Sequence, residues 1–201
     1  MVETVNLSVD GVELQADLYL PDKIKPGERR PALVAGHGFS AVREALQPQG
    51  EYFSAAGYIV LALDYRSFGR SGGTVRGELF PDRQVEDFSA GISFLQTRDD
   101  VEGDRIGVWG TSFGGGVALA VGARDRRARV VISQVPITDP RAGCAGCAHL
   151  SNGNNCSMPS TRTAPAAFVA PTVPAFRWLG RSPAQMSAQC PPAAMCLTLW
   201  G

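Results

Sequence analysis

The residues best suited by type and spacing to carry out chemistry form the run Gly110-Thr111-Ser112-Phe113-Gly114. A serine hydroxyl becomes a nucleophile when a neighbouring base takes its proton, and the oxyanion formed next needs preorganised donors. Glycines on both sides of the serine suit a turn so sharp that backbone segments touch there. We therefore interpret Ser112 as a nucleophile, the alternative being a glycine-rich turn with an incidental serine.

The flanking sequence supplies the elements that such a serine needs. The short apolar run Arg105–Trp109 comes before it, and the small-residue segment Val117–Val121 comes after it. Strand, turn and helix in this order would project the Ser112 hydroxyl from the top of a sheet. The amide of Phe113, at the start of the helix, would then point at an oxyanion formed on the serine.

The apolar patterns elsewhere in residues 1–139 predict the strands of a sheet. Residues 5–9 and 12–20 alternate between apolar and polar, which is typical of half-buried strands, and Asp10-Gly11 between them favours a type I′ hairpin turn. Short continuous apolar runs at 32–36, 58–64 and 129–135 predict strands buried on both faces.

Two helices are predicted before the serine, over residues 45–56 and 81–97. The second has an apolar stripe with helical spacing, made of Val85, Phe88, Ile92 and Leu95. Strands that alternate with helices predict an α/β fold: a mainly parallel sheet with helices on both faces and an antiparallel N-terminal hairpin. The sequence predicts that this sheet is truncated after its sixth strand.

The composition changes near residue 140. All 19 acidic residues lie in 1–139 with 15 of the 19 basic ones, whereas 141–201 hold all five cysteines and seven of the 14 prolines. We expect a partial domain over 1–140 and a disordered or out-of-frame tail over 141–201, leaving the sixth strand with an exposed apolar edge. The net charge of zero, and the lack of a leader or long apolar run, favour a cytoplasmic protein that binds neither nucleic acid nor membrane.

Residues 1–139 resemble the α/β-hydrolase family. The resemblance is carried by the antiparallel start, His37-Gly38-Phe39, the loop Asp64–Gly72 and the turn around Ser112. The chain looks most like the dienelactone-hydrolase-like and peptidase-S15-like esterases, a branch that is similar in turn to fungal polyketide acyl transferases. The resemblance implies that the amides of Phe39 and Phe113 stabilise the oxyanion, and that the loop Asp64–Gly72 forms one wall of the pocket.

The same family carries its acid and base in the chain order Ser, Asp, His. By this order Asp139 is the candidate acid and His149 the candidate base, with a turn or N-cap role as the alternative for Asp139. His37 lies in the oxyanion segment, where a packed or loop-orienting histidine is the expected role. Since neither an acid nor a base stands in the family's usual context, the sequence leaves the enzymatic status of the chain open.

One cluster suggests a metal. Cys144, Cys147, His149 and Cys156 include a C-x-x-C spacing and would make four ligands for zinc. No flanking strand or knuckle turn supports that site, so incidental cysteines are the preferred interpretation, and we predict no metal and no cofactor.

Three functions are compatible with these residues. The first is a serine hydrolase that acts on a small-molecule carboxylic ester or thioester through an acyl-enzyme on Ser112, impaired in this truncated form. The second is an acyl or polyketide transferase of secondary metabolism that uses the same serine. The third is a non-catalytic truncated remnant. The substrate and the oligomeric state stay open.

Overall fold

A computed structural model describes residues 1–22 and 24–138 in full, and the course of the backbone over residues 195–199. The strands are β1 (Val2–Val9), β2 (Val12–Tyr19), β3 (Arg30–Gly36), β4 (Ile59–Leu63), β5 (Val101–Thr111), β6 (Ala128–Gln134) and β7 (Met195–Leu199). The helices are α1 (Gln47–Ala55), α2 (Pro81–Gln96) and α3 (Phe113–Arg124), and a 3-10 helix (Arg43–Leu46) precedes α1.

The strands form one mixed sheet in the order β1-β2-β4-β3-β5-β6-β7. The four central strands β4, β3, β5 and β6 are parallel to one another. At the two ends, β1 with β2, β2 with β4, and β6 with β7 pair antiparallel. The mainly parallel α/β sheet with an antiparallel start that the sequence predicts is therefore confirmed.

The first hairpin has the turn that its sequence favours. Asp10 and Gly11 lie at φ 50° and 76°, the two positive angles that a type I′ turn requires. β1 and β2 then pair over their whole length, from Val9 opposite Val12 to Val2 opposite Tyr19.

Helices cover both faces of the sheet, and each face has its own apolar cluster. The larger cluster packs under α2 and α3, and it contains the whole predicted stripe of α2, which is buried. The smaller cluster packs under the 3-10 helix and α1, around Leu46, Tyr19 and Trp109. None of the helices within residues 1–138 is long and apolar enough to cross a membrane.

The sheet extends one strand beyond the six that the sequence predicts. β7 pairs antiparallel with β6, with Met195 opposite Gln134 and Leu199 opposite Val130. The expectation that β6 has an exposed edge is therefore wrong, because its free N–H and C=O groups are a template for any nearby extended segment. A five-residue run inside a proline-rich tail has too little pattern to be recognised as a strand.

The parallel strands bring four irregular segments to one edge of the sheet. β3 ends at Gly36, β4 at Leu63, β5 at Thr111 and β6 at Gln134. The segments that leave these carboxyl ends lie side by side, at the place where open α/β sheets bind ligands.

Candidate active site

Ser112 connects β5 to α3 in a strained conformation. Its backbone lies at φ 55° and ψ −119°, which is unusual for a residue with a side chain. Three further non-glycine residues with positive φ, Ser40, Ser67 and Val135, follow the carboxyl ends of the parallel strands β3, β4 and β6. Strain of this kind is concentrated at functional sites, so this edge of the sheet is the candidate active site.

Backbone hydrogen bonds hold the strained serine in place. The Ser112 amide donates to the carbonyl of Gln134 at 2.9 Å. The Ser112 carbonyl accepts from Ile137 at 3.0 Å and from Gly116, one turn into α3, at 3.2 Å. The segment that leaves β6 therefore fixes the turn from one side, and the first turn of α3 fixes it from the other.

The glycines around the serine are required by close backbone contacts. A methyl group on Gly110 would overlap the carbonyl of Gly114, and one on Gly114 would overlap the carbonyls of Gly36 and His37. A methyl group on Gly116 would overlap the carbonyl of Ile137. The packing that the G-x-S-x-G spacing predicts is present, because α3 begins directly against the end of β3.

The segment after β3 passes beside the serine. A methyl group built on Gly38 would lie 3.3 Å from Cβ and 3.9 Å from Oγ of Ser112. Phe39, the next residue, exposes 60% of its surface, whereas Phe113 is buried at the start of α3. Ser112, Phe39 and Phe113, three of the residues that the sequence selects, are thus brought together.

The backbone amides of Phe39 and Phe113 are the oxyanion donors that the family resemblance implies. Within residues 1–22 and 24–138, neither N–H group donates a hydrogen bond. The Phe39 amide belongs to the segment beside Ser112 Oγ, and the Phe113 amide begins the helix that follows the serine. Unused N–H groups at a helix start are ready-made donors to an anion.

His37 is fully buried, and its ring faces aromatic side chains. The ring centroid lies 4.3 Å from that of Tyr65 and 5.4 Å from that of Phe68. Nδ1 lies 2.9 Å from the carbonyl of Gly38, so Nδ1 carries the proton and donates it. Burial lowers the pKa of His37 below its ordinary value, which keeps the imidazole neutral. These contacts describe a packed histidine that orients the loop, one of the roles that the sequence favours.

The loop Asp64–Gly72 is held by a buried carboxylate on α2. Asp87 accepts from the backbone amide of Arg66 at 2.9 Å and from its Nε at 2.7 Å. Desolvation raises the pKa of Asp87 to about 6, although Arg66 opposes that rise. The loop is therefore fixed to α2.

A cavity of about 410 Å³ lies against this loop and the first hairpin turn. Its walls include Gly11, Arg66, Ser67 and Arg83, but neither Ser112 nor the two amides beside it. The geometry of the serine, not the size of this cavity, identifies the candidate site.

The structure does not describe the candidate acid and base. Asp139 and His149 fall outside the described residues, as do Cys144, Cys147 and Cys156 of the alternative zinc cluster. Ser112 Oγ has no hydrogen-bond partner within residues 1–22 and 24–138.

A model of the X-Pro dipeptidyl-peptidase (S15) family matches residues 10–171. The chain therefore belongs to the S15 family. It is 38% identical over 135 residues to the thiohydrolase aneE of Aspergillus aculeatus, and 37% identical over 132 residues to the acyltransferase drtE of Aspergillus calidoustus. These matches cover 66% and 65% of this chain but 41% of each relative, so the chain spans about two fifths of their length.

Comparison with solved structures identifies the fold. The α/β hydrolase GrgF of a Penicillium species superimposes with a TM-score of 0.64 at 26% identity, over 75% of this chain and 52% of that one. The fold is thus that of the α/β hydrolases, as the sequence resemblance implies.

Several residues that hold this site from outside the motif have no signal in the sequence. Gln134 and Ile137 act through backbone groups, which do not depend on side-chain type. Arg43 is also missed, since a single arginine next to Glu44 looks like an ordinary surface residue. In the fold it is 4% exposed and pairs with Asp64.

Replacing Gly114 with alanine should lower the free energy of unfolding by on the order of 1–3 kcal/mol, because the new methyl group meets backbone that cannot move aside. That loss should outweigh the gain of about 1 kcal/mol from the better helix propensity of alanine. Urea unfolding measures the difference. The control is Gly103→Ala, whose methyl group would approach only Gln96 Cγ at 3.8 Å. Equal stability of the two variants would contradict the close approach of α3.

The stability of the fold should depend on pH through His37. Because burial depresses the folded pKa below about 6.5, the unfolded chain binds more protons, and stability is lost as pH falls below that value. We expect His37→Asn to lose less free energy of unfolding between pH 7.5 and 5, since asparagine can donate to Gly38 without titrating. Urea titrations at both pH values test this, and any contribution of His149 is shared by both proteins. Identical pH dependence would refute the role of His37.

Proposed function

We propose that this chain carries the nucleophile and the oxyanion donors of an esterase or thioesterase that works through an acyl-enzyme on Ser112. One observation carries the proposal: a strained serine lies beside the segment that carries the Phe39 amide and directly before the Phe113 amide, and neither amide donates a hydrogen bond in the described part of the chain. The name of the relative aneE, a thiohydrolase, supports thioesters among the substrates.

The chemistry follows from this arrangement. Ser112 Oγ attacks the carbonyl carbon of the ester or thioester as a base removes its proton, and the carbonyl oxygen becomes an oxyanion. The amides of Phe39 and Phe113 stabilise that charge. One preorganised donor is typically worth about 10²–10³ in rate. The alcohol or thiol leaves with a proton, and water then releases the acid and restores the serine.

Acyl transfer is the second candidate, and the acyltransferase drtE supports it. The first half-reaction is the same, but an alcohol replaces water as the acceptor of the acyl group. Product analysis with an excess of a small alcohol separates the two: a transferase makes a new ester, while a hydrolase releases the acid.

The family's chain order suggests His149 as the base and Asp139 as the acid, but nothing in the sequence around His149 orients its imidazole toward Ser112. Without a base, Ser112 is almost wholly protonated, and only about 10³–10⁴-fold acceleration over water remains from the oxyanion donors and binding. We therefore propose slow turnover for this chain, in keeping with an impaired hydrolase. Complete lack of a reactive serine would favour the alternative of a non-catalytic remnant.

The remaining parts of the proposal rest on the sequence. They are a small-molecule ester or thioester as substrate, a cytoplasmic location, and a division between a partial hydrolase domain, 1–140, and an atypical tail, 141–201. Limited proteolysis followed by intact-mass measurement tests the division, because the first cuts should fall within residues 141–201 and leave a fragment of about residues 1–140.

A fluorophosphonate probe should label the full chain once, on Ser112, because its Oγ lies beside the segment that carries the Phe39 amide. Ser112→Ala should abolish the label. Ser54→Ala is the matched control, since that hydroxyl is engaged with the carbonyl of Glu51 on α1, and it should keep the label. Intact mass and peptide mapping give the stoichiometry and the position. Labelling that survives Ser112→Ala would overturn the assignment.

A further inference from the structure

The segment that carries the Phe39 amide is irregular backbone between β3 and the 3-10 helix, and it is fixed at both ends. At its start, the Gly38 carbonyl accepts from His37 Nδ1 at 2.9 Å and from the Ala41 amide at 3.3 Å. At its end, the amide of Arg43 donates to Asp64 Oδ1 at 2.8 Å. Between the two anchors, the Phe39 amide has no bond of its own in the described part of the chain.

The second anchor is a buried ion pair. Asp64 is fully buried and Arg43 is 4% exposed. Besides the Arg43 backbone amide, the carboxylate accepts from the Arg43 guanidinium and from the Arg70 amide, the latter at 3.0 Å. Arg43 Nε also lies 3.0 Å from Asp17 on β2. One guanidinium thus joins a carboxylate on β2 to a carboxylate directly after β4.

Asp64 leaves little freedom to the backbone around it. It follows β4 directly, and its own amide donates to the carbonyl of Gln15 on β2 at 2.9 Å. A methyl group on Gly69 would overlap the Asp64 carboxylate, so the loop closes tightly over it. The chain from Gly38 to Arg43 is therefore tied to a rigid acceptor on the central sheet.

We propose that Arg43 and Asp64 position the Phe39 amide for the oxyanion. The first anchor fixes the Gly38 carbonyl, and in a trans peptide the Phe39 N–H points away from that carbonyl. The Arg43–Asp64 anchor fixes the far end of the same short segment, so the direction of this N–H depends on both. A misplacement of about 1 Å in a reactive site costs on the order of 10²-fold in rate.

An arginine suits this position because one planar group can pair with two carboxylates at fixed angles. Arg43 contacts Asp64 and Asp17 through different nitrogens of one planar group. Lysine keeps the charge and the backbone amide but offers a single flexible ammonium, so Arg43→Lys is not conservative at such a site. The inference rests on the proposed function, since it assigns residues that act through the Phe39 amide.

The test compares Arg43→Lys with Arg98→Lys in the full chain. Arg98 makes a two-pronged pair with Asp100, at 2.8 and 2.7 Å, before β5 and away from the carboxyl edge of the sheet. The second-order rate constant for labelling of Ser112 by a fluorophosphonate is measured with the unfolding midpoint. We expect Arg43→Lys to label about 10–100-fold more slowly, and Arg98→Lys to stay within about twofold of the parent chain.

Nitrogen-15 NMR of the fluorophosphonate adduct distinguishes a specific displacement of the Phe39 amide from a general loosening of the fold. In the parent adduct, the Phe39 and Phe113 amide protons should both shift downfield, whereas in Arg43→Lys only that of Phe113 should. Equal labelling rates for the two lysine variants, or a Phe39 shift that persists in Arg43→Lys, would overturn the inference. Absence of Ser112-dependent labelling in the parent chain would instead refute the proposed function.

A second variant keeps the test decisive if Arg43→Lys does not fold. Asp17 is 15% exposed and pairs with Arg43 Nε, whereas Asp64 pairs with Nη1, so Asp17→Asn removes one of the two carboxylates that hold the guanidinium in place. We expect a smaller Phe39 shift in the Asp17→Asn adduct than in the parent adduct. A Phe39 amide with its full shift in Asp17→Asn would overturn the inference.

Discussion

The site depends on one backbone conformation, that of Ser112 at φ 55° and ψ −119°. A residue with a side chain in such a region costs of order 1–3 kcal/mol, so the surrounding structure must over-determine it. The carbonyl of Gln134 and the amide of Ile137 do so from the end of β6, and Gly116 does so from α3. The strain and the placement of Ser112 directly before α3 are therefore consequences of one tight turn.

That turn constrains the packing far beyond the serine. α3 must begin against β3 and run closely over β6, which leaves no room for side chains at the points of closest approach. A methyl group on Gly114 or Gly122 would overlap the Gly36 backbone or Val131, respectively. The bulk of the core on this face comes instead from α2, whose buried Phe88 lies 6.0 Å from the ring of Tyr65. The small residues after Ser112 let α3 pack closely on the sheet, and the large residues on α2 fill the core of the same face.

Much of this architecture could be predicted from the sequence because it depends on local patterns. The positive φ angles of Asp10 and Gly11 follow from residue type, and the apolar stripe of α2 from its period. The Arg43–Asp64 pair could not be predicted, since it joins residues 21 positions apart that carry no spacing signal. β7 could not be predicted either, because antiparallel pairing with β6 is decided by a free sheet edge and not by the five residues that fill it.

The most direct measurement is a crystal structure of the chain after reaction with a fluorophosphonate. We expect a covalent bond from Ser112 Oγ to phosphorus, with the phosphoryl oxygen within about 3 Å of the amide nitrogens of both Phe39 and Phe113. A phosphoryl oxygen turned away from these amides, or phosphorus bonded to another residue, would contradict the proposed site.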